Sequence, residues 1–141
     1  MRIAEEIGAN LKGGEVIELV SDLGGGKTTF AQGIAKGLGV KEQVHSPSFT
    51  ISVEHLGSHL RFIHFDFYRL MEPGIMKQEL SEVIGQNDTV VIIEWADIVE
   101  DLLPDSKITV TIKVISENER QLEIKYNQDY ENIIPRKYLT S

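Results

Sequence analysis

Gly24, Gly25, Gly26, Lys27 and Thr28 stand together in the stretch VSDLGGGKTT (Val20–Thr29), and that order of residue types suits one kind of chemistry. Glycines let consecutive backbone N–H groups converge on anionic oxygens, and a following helix adds the positive end of its dipole. A lysine at this point reaches the β- and γ-phosphates of a nucleotide, while the neighbouring hydroxyl ligates Mg²⁺. Asp22, Leu23, Gly24, Gly25, Gly26, Lys27, Thr28 and Thr29 are therefore the expected nucleotide-binding segment, with Lys27 on phosphate and Thr28 on the metal. Of these, Thr29 reads rather as a residue that caps or packs the first helical turn. The phosphate-loop pattern G-x-x-x-x-G-K-[ST] opens with glycine, and Ser21 stands in that place here. At the end of a strand Ser21 keeps extended dihedrals that any residue adopts, so binding is expected to survive the exchange.

A magnesium-nucleotide site also needs a carboxylate at the end of a neighbouring apolar strand. The chain offers two, in Phe62-Ile63-His64-Phe65-Asp66 and Val90-Val91-Ile92-Ile93-Glu94. One acid can hold the metal while the other orients water, and the residue types alone do not say which. Other residues carry weaker signals. His55 and His59 have i, i+4 spacing but fall across a turn, which disfavours a zinc pair. His64 lies inside a strand beside Asp66 and reads as a core or supporting histidine rather than a catalyst. Arg69 suits either transferred charge or a surface ion pair. Trp95, the single tryptophan, reads as a packing or interface residue.

The elements that must position these groups are legible from periodicity. Ile3, Ala4, Ile7 and Leu11 recur at helical spacing, and Gly13-Gly14 ends that segment. Glu15–Val20 reads as a buried strand leading into the glycine loop. Lys27–Leu38 follows as a helix with Phe30, Ala31, Ile34, Ala35 and Leu38 on one face, stopped by Gly39. Phe49–Val53 and Leu60–Phe67 form an expected hairpin about Gly57-Ser58. Met71–Ile84 is weakly helical, Thr89–Glu94 is a short strand, and Ala96–Leu103 is a short helix stopped by Pro104. Lys107–Val114 and Arg120–Tyr126 alternate as an antiparallel hairpin. The expected fold is an α/β phosphate-loop domain, with parallel central strands extended by antiparallel hairpins and flanked by helices.

At 141 residues the chain fits a single domain, 1–141, with 127–141 as a polar C-terminal tail. The absence of cysteine excludes thiolate catalysis, redox chemistry and cysteine metal sites. No apolar signal region or membrane-length run is present, so a cytoplasmic protein without a membrane partner is expected. The net charge of −8 makes autonomous nucleic-acid binding a poor fit, because phosphate neutralisation supplies most non-specific affinity.

SDLGGGKTTFAQG (Ser21–Gly33), SPSFT (Ser46–Thr50), HFDFYRL (His64–Leu70) and IEW (Ile93–Trp95) follow one another in this order. Together they resemble the TsaE (YjeE) family, small bacterial ATPases required for threonylcarbamoyl-adenosine formation next to the anticodon of tRNA. The resemblance covers about residues 1–105, and HFD-x-YRL with a downstream E-W carries its specificity. It implies ATP or ADP with Mg²⁺ as cofactors, with Lys27 and Thr28 on phosphate and metal. It further implies Glu94 as the metal-site acid, Asp66 in hydrolysis and Trp95 beside the nucleotide. Ser46 and Thr50 fall on a loop that responds to nucleotide like a switch. The implied partners are TsaD, which transfers the threonylcarbamoyl group, and its paralogue TsaB, with tRNA met only through them. Hydrolysis, slow in the protein alone, would then sustain turnover of the assembly. Ser21, Gly25 and Ser48 depart from the family's usual residues, and Met71–Gly85 matches its acidic stretch loosely. Two other readings stand beside this one. A small-molecule kinase would gather several arginines, whereas only Arg69 of five lies in a motif. A nucleotide-switched binding module would not need both Asp66 and Glu94.

Overall fold

Val16, Ile17 and Leu19 place apolar side chains on both faces of one short strand, and such a strand is stable only with both faces covered. The structure, a computed structural model, describes residues 2–21, 26–42, 52–67 and 74–138. Within these, β1 (Val16–Val20) lies inside a six-stranded sheet of order β2-β3-β4-β1-β5-β6. β3 (Arg61–Asp66), β4 (Thr89–Glu94), β1 and β5 (Ile108–Val114) run parallel. The edge strands β2 (Ser52–Leu56) and β6 (Arg120–Lys125) are antiparallel hairpin partners of β3 and β5. This is the mixed α/β architecture expected from the sequence.

Alternation along the strands divides the core in two. Ile17, Leu19, Phe62, Val90 and Ile92 pack beneath α1 (Arg2–Asn10) and α2 (Lys27–Gly37). Val16, Ile63, Phe65, Val91 and Ile93 face Leu80 of α3 (Gly74–Val83) and Val99 of the 3₁₀ helix Ala96–Leu102. Of the expected strand at Phe49–Val53, Ser52 and Val53 belong to β2, which runs Ser52–Leu56, and residues 49–51 lie outside the described residues. The short helix after Trp95 is 3₁₀ rather than α, in keeping with a single tight connection before Pro104.

Two glycines set how closely α2 sits on α1. A Cβ at Gly8 would lie 2.3 Å from the Ile34 carbonyl oxygen, and one at Gly37 would lie 2.0 Å from that of Glu5. The backbones therefore touch where any side chain would part them, which fixes the axis of α2 and the position of its first turn. Glu15, buried after α1, accepts hydrogen bonds from the Lys12 and Gly13 N–H groups at 2.8 and 2.7 Å and turns the chain into β1.

The polar tail is better packed than its composition suggests. Ile133 and Ile134 are buried against the α1/α2 face, and Asn10 Nδ2 donates to the Ile133 carbonyl at 3.0 Å. Lys137 Nζ pairs with Glu6 Oε1 at 2.7 Å. The hydrogen bond from Lys137, helped by Tyr138, holds the Glu6 carboxyl below its ordinary value of 4.5, and the same contact raises Lys137 above 10.5. A depressed carboxyl contributes stability above its unfolded value and loses it as pH falls through the folded one.

Gly8→Ala and Gly37→Ala should each lower stability by about 1–3 kcal/mol despite the better helix propensity of alanine. Urea unfolding checks this, and an unchanged midpoint would contradict the close contact. Amide protection at Ile133 and Ile134 should fall as pH drops below about 4.5, and Lys137→Ala should flatten that dependence in hydrogen exchange.

Candidate functional site

β1 ends at Val20, and the described chain resumes at Gly26, immediately before α2. Gly26 adopts φ 106° and ψ 14°, a left-handed conformation that L side chains rarely take. This glycine lets the chain turn into the helix. Lys27 then opens α2 with its side chain directed inward, only 7% exposed. Its Nζ donates to the Ser21 carbonyl at 3.2 Å, stands 3.8 Å from Glu94 Oε1 and lies 4.2 Å from the centroid of the Trp95 ring. Thr28 is half-buried and Thr29 is exposed, so Thr29 does not pack the core beneath the first turn.

Glu94 comes from the far end of β4. Parallel register sets it beside Leu19 on one side and Asp66 on the other. Both strands that end in an acid thus deliver it to the same edge of the sheet, on the side where α2 begins. Glu94 is buried, and its Oε2 lies 2.5 Å from Nε2 of His64, which has no exposed surface. Asp66 is half-buried, and the Phe67 N–H donates to the Glu94 carbonyl at 3.1 Å, continuing the β3–β4 pairing past both acids.

Trp95 follows Glu94 with φ 57° and ψ 52°, and it has the one positive φ outside glycine among the described residues. Such a conformation costs on the order of 1–3 kcal/mol in a bulky residue. It turns the chain sharply out of β4 and leaves the indole face against the Lys27 ammonium, where a cation–π contact offsets part of that cost.

A cavity of about 90 Å³ adjoins the lysine, lined by Glu18, Ser21, Lys27, Trp95 and Asp97 among others. Behind it, Lys107 Nζ reaches Glu18 Oε1 at 3.0 Å and also contacts Glu100. Partial burial works against the Lys107 charge, yet the hydrogen bonds to Glu100 and Glu18 outweigh it and raise the ammonium above 10.5. Sequence reasoning missed this triad. Its signal was Glu18, an acid in the middle of the apolar strand VIELV.

The structure therefore brings Gly26, Lys27, Thr28, Asp66, Glu94 and Trp95 to one edge of the sheet. Asp22, Leu23, Gly24, Gly25, Ser46, Ser48, Thr50 and Arg69 lie outside the described residues. Among the described residues no group of three or more His, Cys, Asp or Glu could hold a metal by itself. A magnesium-nucleotide site asks for less, since one or two hard oxygen ligands suffice when phosphates and water complete the shell. The Thr28 hydroxyl and the Glu94 carboxylate have that chemistry. His55 is buried elsewhere, with Nδ1 2.6 Å from Glu42 Oε1. No helix among the described residues is long and apolar enough to cross a membrane.

The family model described as Threonylcarbamoyl adenosine biosynthesis protein TsaE matches residues 1–122. The tRNA threonylcarbamoyladenosine biosynthesis protein TsaE of Bacillus subtilis is 37% identical over 125 residues, covering 85% of this chain and 75% of the relative. Its counterpart in Aquifex aeolicus is 38% identical over 125 residues, covering 87% and 86%. Among solved structures, Bacillus subtilis YdiB is similar with a TM-score of 0.73 and 34% identity, over 93% of this chain and 81% of that one.

Proposed function

This chain belongs to the TsaE family of threonylcarbamoyl-adenosine biosynthesis proteins, and on that footing we propose that it binds ATP with Mg²⁺ and hydrolyses it to support tRNA modification. The observation that carries the reading is the buried Lys27 ammonium at the start of α2, facing a buried Glu94 across the ends of β1 and β4. A buried cation with one carboxylate 3.8 Å away, a carbonyl and a ring face has attraction to spare for an anion. The N-terminus of α2 adds its dipole at the same point.

The roles follow from position. Lys27 would neutralise the β- and γ-phosphate oxygens as charge moves onto the departing diphosphate. Thr28 and Glu94 would hold the metal, which when bound draws charge from the same oxygens. Asp66, level with Glu94 on the adjoining strand, would orient a water for in-line attack on the γ-phosphorus and accept its proton as the P–O bond to the diphosphate breaks. Hydrolysis by the isolated protein is expected to be slow, with TsaB and TsaD as partners that raise its use in repeated turnover. The net charge of −8 supports contact with tRNA through those partners rather than by this surface alone.

Lys27→Ala should weaken Mg²⁺-nucleotide binding by at least about tenfold in calorimetry, and near-normal affinity would sink the assignment. Asp66→Ala should keep affinity within about threefold while phosphate release falls by about 10²-fold or more. If Asp66→Ala lost binding instead, Asp66 would be structural. An unchanged rate on adding TsaB and TsaD would count against the assembly role.

A further inference from the structure

Among the described residues of the site, His64 is hydrogen-bonded to Glu94. Its ring is fully buried on β3, Nε2 is 2.5 Å from Glu94 Oε2, and Nδ1 is buried with no hydrogen-bond partner among the described residues. A carboxylate only accepts, so Nε2 carries the hydrogen and donates it. The imidazole is held in place by Phe62, whose ring meets it edge-on at 6.3 Å, and by strand pairing between Val53 and Ile92. A residue needed only to fill this space would not be a histidine. An apolar side chain would avoid leaving one ring nitrogen buried without a partner.

The two oxygens of Glu94 have different neighbours. Oε2 belongs to His64, while Oε1 stands 3.8 Å from Lys27 Nζ. The terminal torsion of a glutamate is soft, so an unheld carboxylate could swing and turn both oxygens to the lysine. We propose that His64 is a positioning residue: its Nε2–H fixes the Glu94 carboxylate so that Oε1 alone remains to exchange between Lys27 and Mg²⁺, which sets the metal affinity of the nucleotide-bound protein. The inference rests on the reading of Glu94 as the metal-site acid. It adds a task that no motif assigned, since the position read only as a core or supporting histidine.

The test compares His64→Gln with His64→Met, two unbranched chains of similar size of which only the first can donate to Glu94. ADP binding is measured by calorimetry across a Mg²⁺ series and again in EDTA, with thermal unfolding to show that each variant is folded. His64→Met should move the Mg²⁺ midpoint up by about tenfold or more, and His64→Gln should stay within about threefold of wild type. Affinity in EDTA should be the same in all three within about twofold. His64→Asn, whose shorter amide falls short of Glu94, replaces the methionine variant if that one does not fold. Equal midpoints for the donor and donor-free variants would overturn the proposal, as would a loss of ADP affinity that persists in EDTA. A wild-type protein whose ADP affinity ignores Mg²⁺ would overturn the metal-site reading itself, and this inference with it.

Discussion

Two opposite charges buried at one edge of a parallel sheet constrain the rest of this molecule. Lys27 and Glu94 are each less than a tenth exposed and stand 3.8 Å apart, on different elements that meet only in the folded chain. Neither charge is tolerable there alone, since breaking a buried pair leaves an uncompensated ion at a cost of about 3–5 kcal/mol. Glu94 divides its two oxygens between His64 and Lys27, and Lys27 adds the Ser21 carbonyl and the Trp95 face. These contacts tie β1, β3, β4 and α2 to a single point. The left-handed turn at Trp95 is part of the same compromise, as an extended residue would carry the chain straight on.

Such a cluster works only if its elements arrive in register. The parallel pairing of β3 with β4 sets Asp66 level with Glu94, and that of β1 with β4 sets Leu19 level with it. A slip of one residue in either ladder would send an acid to the opposite face, toward Leu80 and Val99. On the helical side, the backbone contacts at Gly8 and Gly37 fix α2 so that Lys27 enters at the required depth. Ile133 and Ile134 join the buried cluster under that helix layer. Packing far from the charges is thus what makes their geometry reproducible.

Local signals made much of this legible. Glycines before Lys27-Thr28, helical spacing through Phe30, Ile34 and Leu38, and apolar strands ending in Asp66 and Glu94 are patterns that are each contained within about ten residues. What joins them is not local. The sequence placed Asp66 and Glu94 at strand ends, but only the order β3-β4-β1 shows that they are neighbours. Ile133 and Ile134 sit in a polar segment, where two apolar residues give no period to read. Glu18 was visible as an acid inside an apolar strand, but its link through Lys107, just before β5, to Glu100 of the 3₁₀ helix joins distant parts of the chain and was not. His64 was visible as a strand histidine, while its partner 30 residues away was not.

In the proposed reading, the contacts seen around Lys27 are also what a nucleotide must displace. An ammonium that already contacts the Ser21 carbonyl, Glu94 and Trp95 gains from phosphate only the difference between the two sets of partners, so affinity is smaller than the raw attraction suggests. A bound metal would change that balance. With Glu94 Oε1 turned to a cation, Lys27 would lose its carboxylate and phosphate would become the better partner, which would couple the two ligands through one oxygen atom. The coupling needs a carboxylate that cannot present its second oxygen to the lysine instead. That requirement is met on β3, by an imidazole buried behind the acid rather than by anything in the glycine loop.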